Sequence, residues 1–132
     1  KKTILTPHKE EFRALTSDTV EDNIANRKIT VKKWAEKLQT VILLKGHVDV
    51  ISDGKKVAVN KTGSPYMTKG GFGDTLAGIC GALLARQIDP FQAAVAAAYI
   101  NGKAGALAAQ KYGEGVLASD IFEFIPQVIK KP

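Results

Sequence analysis

The sequence has a single cysteine and only two histidines in 132 residues. One thiol excludes an internal disulfide, and no Cys/His cluster has metal-ligand spacing. Cys80 stands in an apolar helical pattern and reads as a small core residue. No apolar run reaches membrane-spanning length, because glycines and polar residues interrupt 76–109. A long basic run is also lacking, as is any interleaving of basic and aromatic residues. The 19 Lys+Arg against 13 Asp+Glu give a net charge of +6. The basic residues are spread out apart from Lys32-Lys33, Lys55-Lys56 and Lys130-Lys131, so no nucleic-acid partner is expected. A moderate positive field suits small anions instead. Lys1-Lys2-Thr3 has no apolar signal region behind its charges, which leads us to expect a cytoplasmic protein with no membrane partner.

What is present is a glycine loop. Met67-Thr68-Lys69-Gly70-Gly71-Phe72-Gly73-Asp74 precedes a small, apolar helical pattern. Such a loop lets a ligand approach the backbone, and the helix after it aims free N–H groups and a positive dipole end at the same place. That is an anion site. The spacing is not that of a dinucleotide fingerprint, and no Gly-Lys-Ser/Thr follows as in a Walker A loop. Asp74 leaves two readings open: a helix N-cap, or a proton acceptor beside a phosphate.

Taken in order, Thr3-Ile4-Leu5 reads as the end of a buried strand, and Pro7 as the first turn of a helix through Leu15. Ser17-Asp18 is a plausible cap for a short helix. Thr30 reads as the cap of a helix Val31–Leu38. Val41–Leu44 is a strand covered on both faces, of the kind found in parallel sheets. Asp53-Gly54 between strand-like runs signals a hairpin. Residues 60–73 read as a long loop. Three helices are expected after it: Asp74–Ala85, an alanine-rich one from Pro90 to about Lys111, and Asp120–Ile129 capped by Ser119. The last is expected to turn Ile121, Phe122, Ile125, Val128 and Ile129 inward. Asn101, Gly102 and Gly105 break the alanine-rich helix and predict close packing or a kink. The class is a layered α/β protein. So few strands, with the first at the very start, predict that the chain is part of a larger domain or that its sheet is completed by another chain.

Polar groups cluster at the ends of the expected strands, where ligands bind in open α/β sheets. Lys45-Gly46-His47-Val48-Asp49 follows the buried strand, and Thr6-Pro7-His8-Lys9-Glu10-Glu11-Phe12 follows the first one. Each has a plain reading. Lys45 can snorkel to solvent, His47 can be a solvated loop residue, and Glu10 and Glu11 can stabilise a first helical turn. Asn60–Pro65 is explained by turn chemistry. Only their agreement on one sheet edge raises them above those readings.

Thr6-Pro7-His8-x-x-Glu11-Phe12, Leu44-Lys45-Gly46, and Gly63-Ser64-Pro65-x-Met67-x-x-Gly70-Gly71-x-Gly73-Asp74-x-Leu76-Ala77-Gly78 together resemble the ADP/ATP-dependent NAD(P)H-hydrate dehydratases. The likeness runs on to Gly102 and Ala104-Gly105. It implies a ribokinase-like three-layer α/β/α fold with a mostly parallel sheet, of which residues 1–132 would be the C-terminal part. It also implies ADP- or ATP-dependent dehydration of NAD(P)H hydrate, by phosphorylation of its hydroxyl and loss of phosphate, with Mg2+. In that family Asp74 would take the hydroxyl proton, and Gly71, Phe72 and Gly73 would form the anion hole. His8, with Asp74, would contact the hydrate. Lys45, Gly46, His47, Val48, Asp49 and Gly73 would hold the nucleotide, and Glu11 would act near the metal. A homo-oligomer and a fused or associated NAD(P)HX epimerase domain are further implications. Phe72 stands where a small residue or Thr is expected, Tyr66 where Gly is, and Asp49 where Thr is. A hydroxyethylthiazole-type kinase of the same superfamily, or a non-catalytic nucleotide-binding fragment, are the alternatives.

Overall fold

The computed structural model describes residues 2–130; Lys1 and the Lys131 end of the basic tail lie outside them. Four strands form one sheet in the order β1 (Ile4–Leu5), β2 (Val41–Leu44), β3 (Asp49–Ser52) and β4 (Val57–Asn60). β1 and β2 are parallel, whereas β2–β3 and β3–β4 are antiparallel. Within this chain the sheet is therefore mixed, not mostly parallel. The reason is connection length. β1 reaches β2 through two helices, but only residues 45–48 join β2 to β3, too few for a parallel crossover.

The layers follow from strand alternation. Ile42, Leu44 and Val50 face α1 (Lys9–Thr16) and α2 (Ile24–Leu38) and meet Phe12, Val20, Val31 and Ala35. Val41, Leu43 and Ile51 face the other way, onto Leu76 and Cys80 of α3 (Phe72–Ala85) and Ala94, Ala97 and Ala98 of α4 (Pro90–Tyr112). Helices thus cover both faces of β2, whose four residues are all buried. Burial pushes the Cys80 thiol up to about 11, so it is an inert core group. A third cluster joins Phe72, Ala104, Ala108, Val116, Ile121 and Phe124 at the far end of α4.

Several local expectations shift. His8, not Pro7, caps α1 through its side chain, and Ser17 ends that helix in the left-handed region at φ 59°. α2 starts at Asn23, whose side chain accepts from Asn26 N–H, so Thr30 lies inside the helix. Asp18 caps nothing; its carboxylate takes the Trp34 indole N–H at 2.9 Å and Lys33 at 3.2 Å. The hairpin falls where Asp-Gly predicted it, with Ser52 opposite Val57 and a four-residue loop between them. Asp53 there accepts from the N–H groups of Lys55 and Lys56. The expected last helix is a 3₁₀ stretch, Ala118–Glu123, followed by α5 (Ile125–Lys130). Asp120 rather than Ser119 satisfies its start, by accepting the Leu117 N–H. That break in helical phase leaves Phe122 and Ile129 at 59% exposure each, while Ile121 is buried.

Candidate active site

Lys45 is the point where the segments meet. It follows β2, and its backbone N–H donates to the Pro7 carbonyl at 2.9 Å, tying the two strand ends together. Its ammonium lies 3.7 Å from Glu11 Oε2. On its other side stands Gly73, where a Cβ would come within 3.1 Å of Lys45 Nζ. Glycine at 73 is thus what lets the ammonium approach the start of α3.

Gly71 begins α3 in the left-handed region at φ 99°, and a Cβ there would fall 2.8 Å from the Ala118 methyl. Both facts demand glycine. No side chain caps the helix, so its first-turn N–H groups are left to meet a ligand or water. Lys69 holds the loop from behind by donating to the carbonyls of Glu114 and Val116. Phe72 is buried against Ala104, Val116 and Phe124. Where a small residue was expected, the aromatic ring serves as an anchor for the turn.

Asp74 is the third residue of α3 and is exposed. Gly71 holds the capping position, so the N-cap reading of Asp74 does not apply. Among the described residues its carboxylate has no hydrogen-bond or ion-pair partner. Its place in the first turn sets it beside the uncapped N–H groups of that helix.

His8 and Glu11 are engaged with each other. His8 Nδ1 accepts the Glu11 N–H at 3.2 Å, and Glu11 Oε2 accepts the His8 N–H at 2.8 Å. That second bond, helped by Lys45 and His8, lowers the Glu11 pKa. The pair is therefore a capping box as well as a candidate ligand contact.

A cleft of ≈ 270 Å³ opens beside Lys45, bounded by Gly46, His47, Asp49, Met67, Phe72, Gly73, Leu76, Ala98, Asn101 and Gly102 among others. Asp74, Gly71, His8 and Glu11 stand outside its lining. Val48 also lies outside it, and its carbonyl accepts from Arg27 Nη1 at 2.8 Å. Burial lowers the Arg27 pKa, offset by the charges of Asp49 and Asp22. Arg27 had no signal in the sequence, since it sits in a polar stretch and only the α2–sheet contact brings it under the turn. Asn60 and Asn101 were also missed as site-builders. Asn101 accepts from Thr75 Oγ1 at 2.7 Å and donates to the Phe72 carbonyl at 3.3 Å, fixing the first turn of α3 to α4. Gly102 and Gly105 seat the loop that forms the cleft's outer wall. A Cβ at Gly102 would overlap Thr62, and one at Gly105 would overlap the Met67 thioether.

The three-layer fold, with an uncapped glycine turn and a strand-end lysine converging on one cleft, defines a ribokinase-like domain. The family model described as NAD(P)H-hydrate dehydratase matches residues 1–127. The chain belongs to that family. It is 44% identical to the bifunctional NAD(P)H-hydrate repair enzyme Nnr of Hyperthermus butylicus, covering 100% of this chain and 25% of that protein. It is 43% identical to the ADP-dependent (S)-NAD(P)H-hydrate dehydratase of Cenarchaeum symbiosum, covering 98% of this chain and 45% of that one. Among solved structures, the Bacillus subtilis ADP/ATP-dependent NAD(P)H-hydrate dehydratase co-crystallised with ATP/Mg2+ superposes with a TM-score of 0.86 at 36% identity, covering 96% of this chain and 47% of that chain. The chain thus spans less than half the length of these relatives. No helix among the described residues is long and apolar enough to cross a membrane.

Proposed function

We propose that this chain is the C-terminal part of a domain that restores NAD(P)H from its hydrate at the expense of ADP or ATP. One observation carries the reading. Lys45, paired with Glu11, stands against Gly73 at an uncapped helix start, and an unpartnered carboxylate, Asp74, lies in the same turn. A cation and oriented N–H groups beside a free base are what transfer of a phosphoryl group to a hydroxyl needs.

In this reading the phosphates of the nucleotide lie at Lys45 and the N–H groups of Phe72 and Gly73, with Gly46 to Asp49 along its body. Asp74 accepts the proton of the hydrate's hydroxyl as that oxygen bonds to the terminal phosphorus and the bridging P–O bond breaks. The phosphate then leaves with the carbon–oxygen bond electrons, and the adjacent ring carbon gives up a proton. The double bond is restored, and AMP or ADP and inorganic phosphate remain. Mg2+ would enter with the nucleotide and offset its phosphate charge. Glu11, 3.7 Å from Lys45 Nζ, is an acidic side chain at that end.

The test uses the intact polypeptide with NADH hydrate and ADP or ATP. NADH absorbance should recover, with one phosphate released per NADH. Absent recovery, together with phosphorylation of a small alcohol such as hydroxyethylthiazole, would decide for the kinase. Nucleotide binding without either reaction would decide for a binding module. The bifunctional names of several relatives also lead us to expect an epimerase activity on the same polypeptide or an associated one.

A further inference from the structure

Groups of opposite charge line the cleft. Lys45 stands by the free N–H groups of α3, and Asp49 is a half-buried carboxylate lining the same space. Asp49 Oδ1 accepts the Gly46 N–H at 3.1 Å and Oδ2 accepts Asn60 Nδ2 at 3.0 Å. The buried Asn60 also donates to the Ala98 carbonyl at 3.2 Å and accepts from Thr62 Oγ1 at 2.9 Å. These contacts hold the carboxylate on the α4 side of the sheet, beside two other residues of the cleft wall. Asp49 forms none of the ion pairs among the described residues. The charges of Arg27 and Lys45 act on it only from beyond contact range, and burial raises its pKa.

Both bonds arrive from N–H donors, so Asp49 serves as an acceptor at each oxygen. A carboxylate offers about four acceptor positions, which leaves about two open. A phosphate is excluded from them by like charge. A neutral donor is not. Met67, Leu76, Ala98 and Gly102 add to the cleft an apolar surface suited to a flat base. With phosphates at Lys45 and Gly73 and the base against that surface, the sugar falls beside the turn Gly46–Asp49.

We propose that Asp49 recognises the sugar of the nucleotide by accepting a hydrogen bond from its 2′- or 3′-hydroxyl, and so selects it over the analogue that lacks that hydroxyl. This rests on the nucleotide site assigned above. Dinucleotide-binding folds use an acidic residue on a ribose hydroxyl in the same way.

Calorimetric titration of the intact polypeptide with ADP, 2′-deoxy-ADP, 3′-deoxy-ADP and inosine diphosphate tests it. The unaltered protein should bind one of the two deoxynucleotides about tenfold or more weakly than ADP, as for a lost hydrogen bond to a charged group. In Asp49→Ala that ratio should collapse to about one. Asp49→Asn, nearly isosteric, supplies the same comparison should the alanine variant unfold. A residue that merely braced the turn would weaken all nucleotides equally and leave the ratio intact, which would overturn the proposal. So would equal binding of ADP and both deoxynucleotides by the unaltered protein. Selective loss of inosine diphosphate with no deoxy effect would overturn it too, in favour of the adenine amine. If no nucleotide binds, the site assignment itself fails and this inference with it.

Discussion

Asp49 and Asp74 stand near the same cleft and are held in opposite ways. Asp49 is half-buried, has a donor on each oxygen, and sits in a turn that Arg27 clamps from the other side. Asp74 is exposed, lies in the first turn of a helix, and has no hydrogen-bond or ion-pair partner among the described residues. A carboxylate with fixed donors is held in one orientation, ready to accept from a hydroxyl. A carboxylate without partners is free to turn toward an incoming group. Two acidic residues of one type are thus set apart, one positioned and one unpartnered, by their neighbours alone.

The largest expected effect tests the reactive side. Asp74→Asn should lower turnover by about 10²- to 10⁴-fold, the range for loss of a general base. Nucleotide affinity should hold, and stability should stay within about 0.5 kcal/mol, as for an exposed position without partners. NADH recovery, calorimetry and a thermal melt on the one variant check all three, and near-normal turnover would erase the contrast. On the positioned side, Gly102→Ala would drive a Cβ to within 2.8 Å of the Thr62 carbonyl carbon. An unfolding free energy lowered by about 1–3 kcal/mol in a urea titration is expected, as for overpacking, together with weaker ADP binding because the cleft wall must move. Asn60→Ala should cost about 1 kcal/mol, since half-buried Asp49 can recover a water in place of the lost donor. Its nucleotide affinity should fall, where that of Asp74→Asn does not.

The smallest effect is electrostatic. In a carboxyl NMR titration Glu11 should titrate below its ordinary value of 4.5 and Asp49 above its ordinary value of 3.8. The signs for stability then oppose. Glu11 contributes stability above pH 4.5 that is lost as pH falls through its lowered folded pKa. Asp49 is protonated more readily folded than unfolded, so its ionisation opposes folding as pH rises past 3.8, and acid relieves that. Because the His8 N–H is the main cause at Glu11, Lys45→Met should move that carboxyl only part of the way back. Full return would show that the ion pair, not the capping box, governs it.

What could be read in the sequence was whatever depends on near neighbours. Val41–Leu44, the Asp53-Gly54 hairpin and the Pro90 start of α4 are set by local pattern, and they stand where expected. Strand sense was also legible, in the four residues between β2 and β3, but the apolar run of β2 argued for parallel neighbours. Burial on both faces comes from the helices that flank the sheet and does not require them. In the site, the glycine loop and Lys45 were visible as motifs. Arg27 and Asn60 were not, because polar residues in polar surroundings give no signal until the chain folds them against a carbonyl or a carboxylate. Phe122 was misplaced by assuming unbroken helical phase across Phe124.

One helix touches every part of the cleft. Ala98 of α4 takes the Asn60 amide, Asn101 grips the first turn of α3, Gly102 receives Thr62, and Gly105 receives Met67. These contacts fall within eight residues, about two turns. Adding or removing a single residue before Ala98 would rotate all of them by about 100°, so both carboxylates would lose their bearings at once. α4 therefore acts as a gauge block: the spacing between the Asp49 turn and the first turn of α3 is stored in its register.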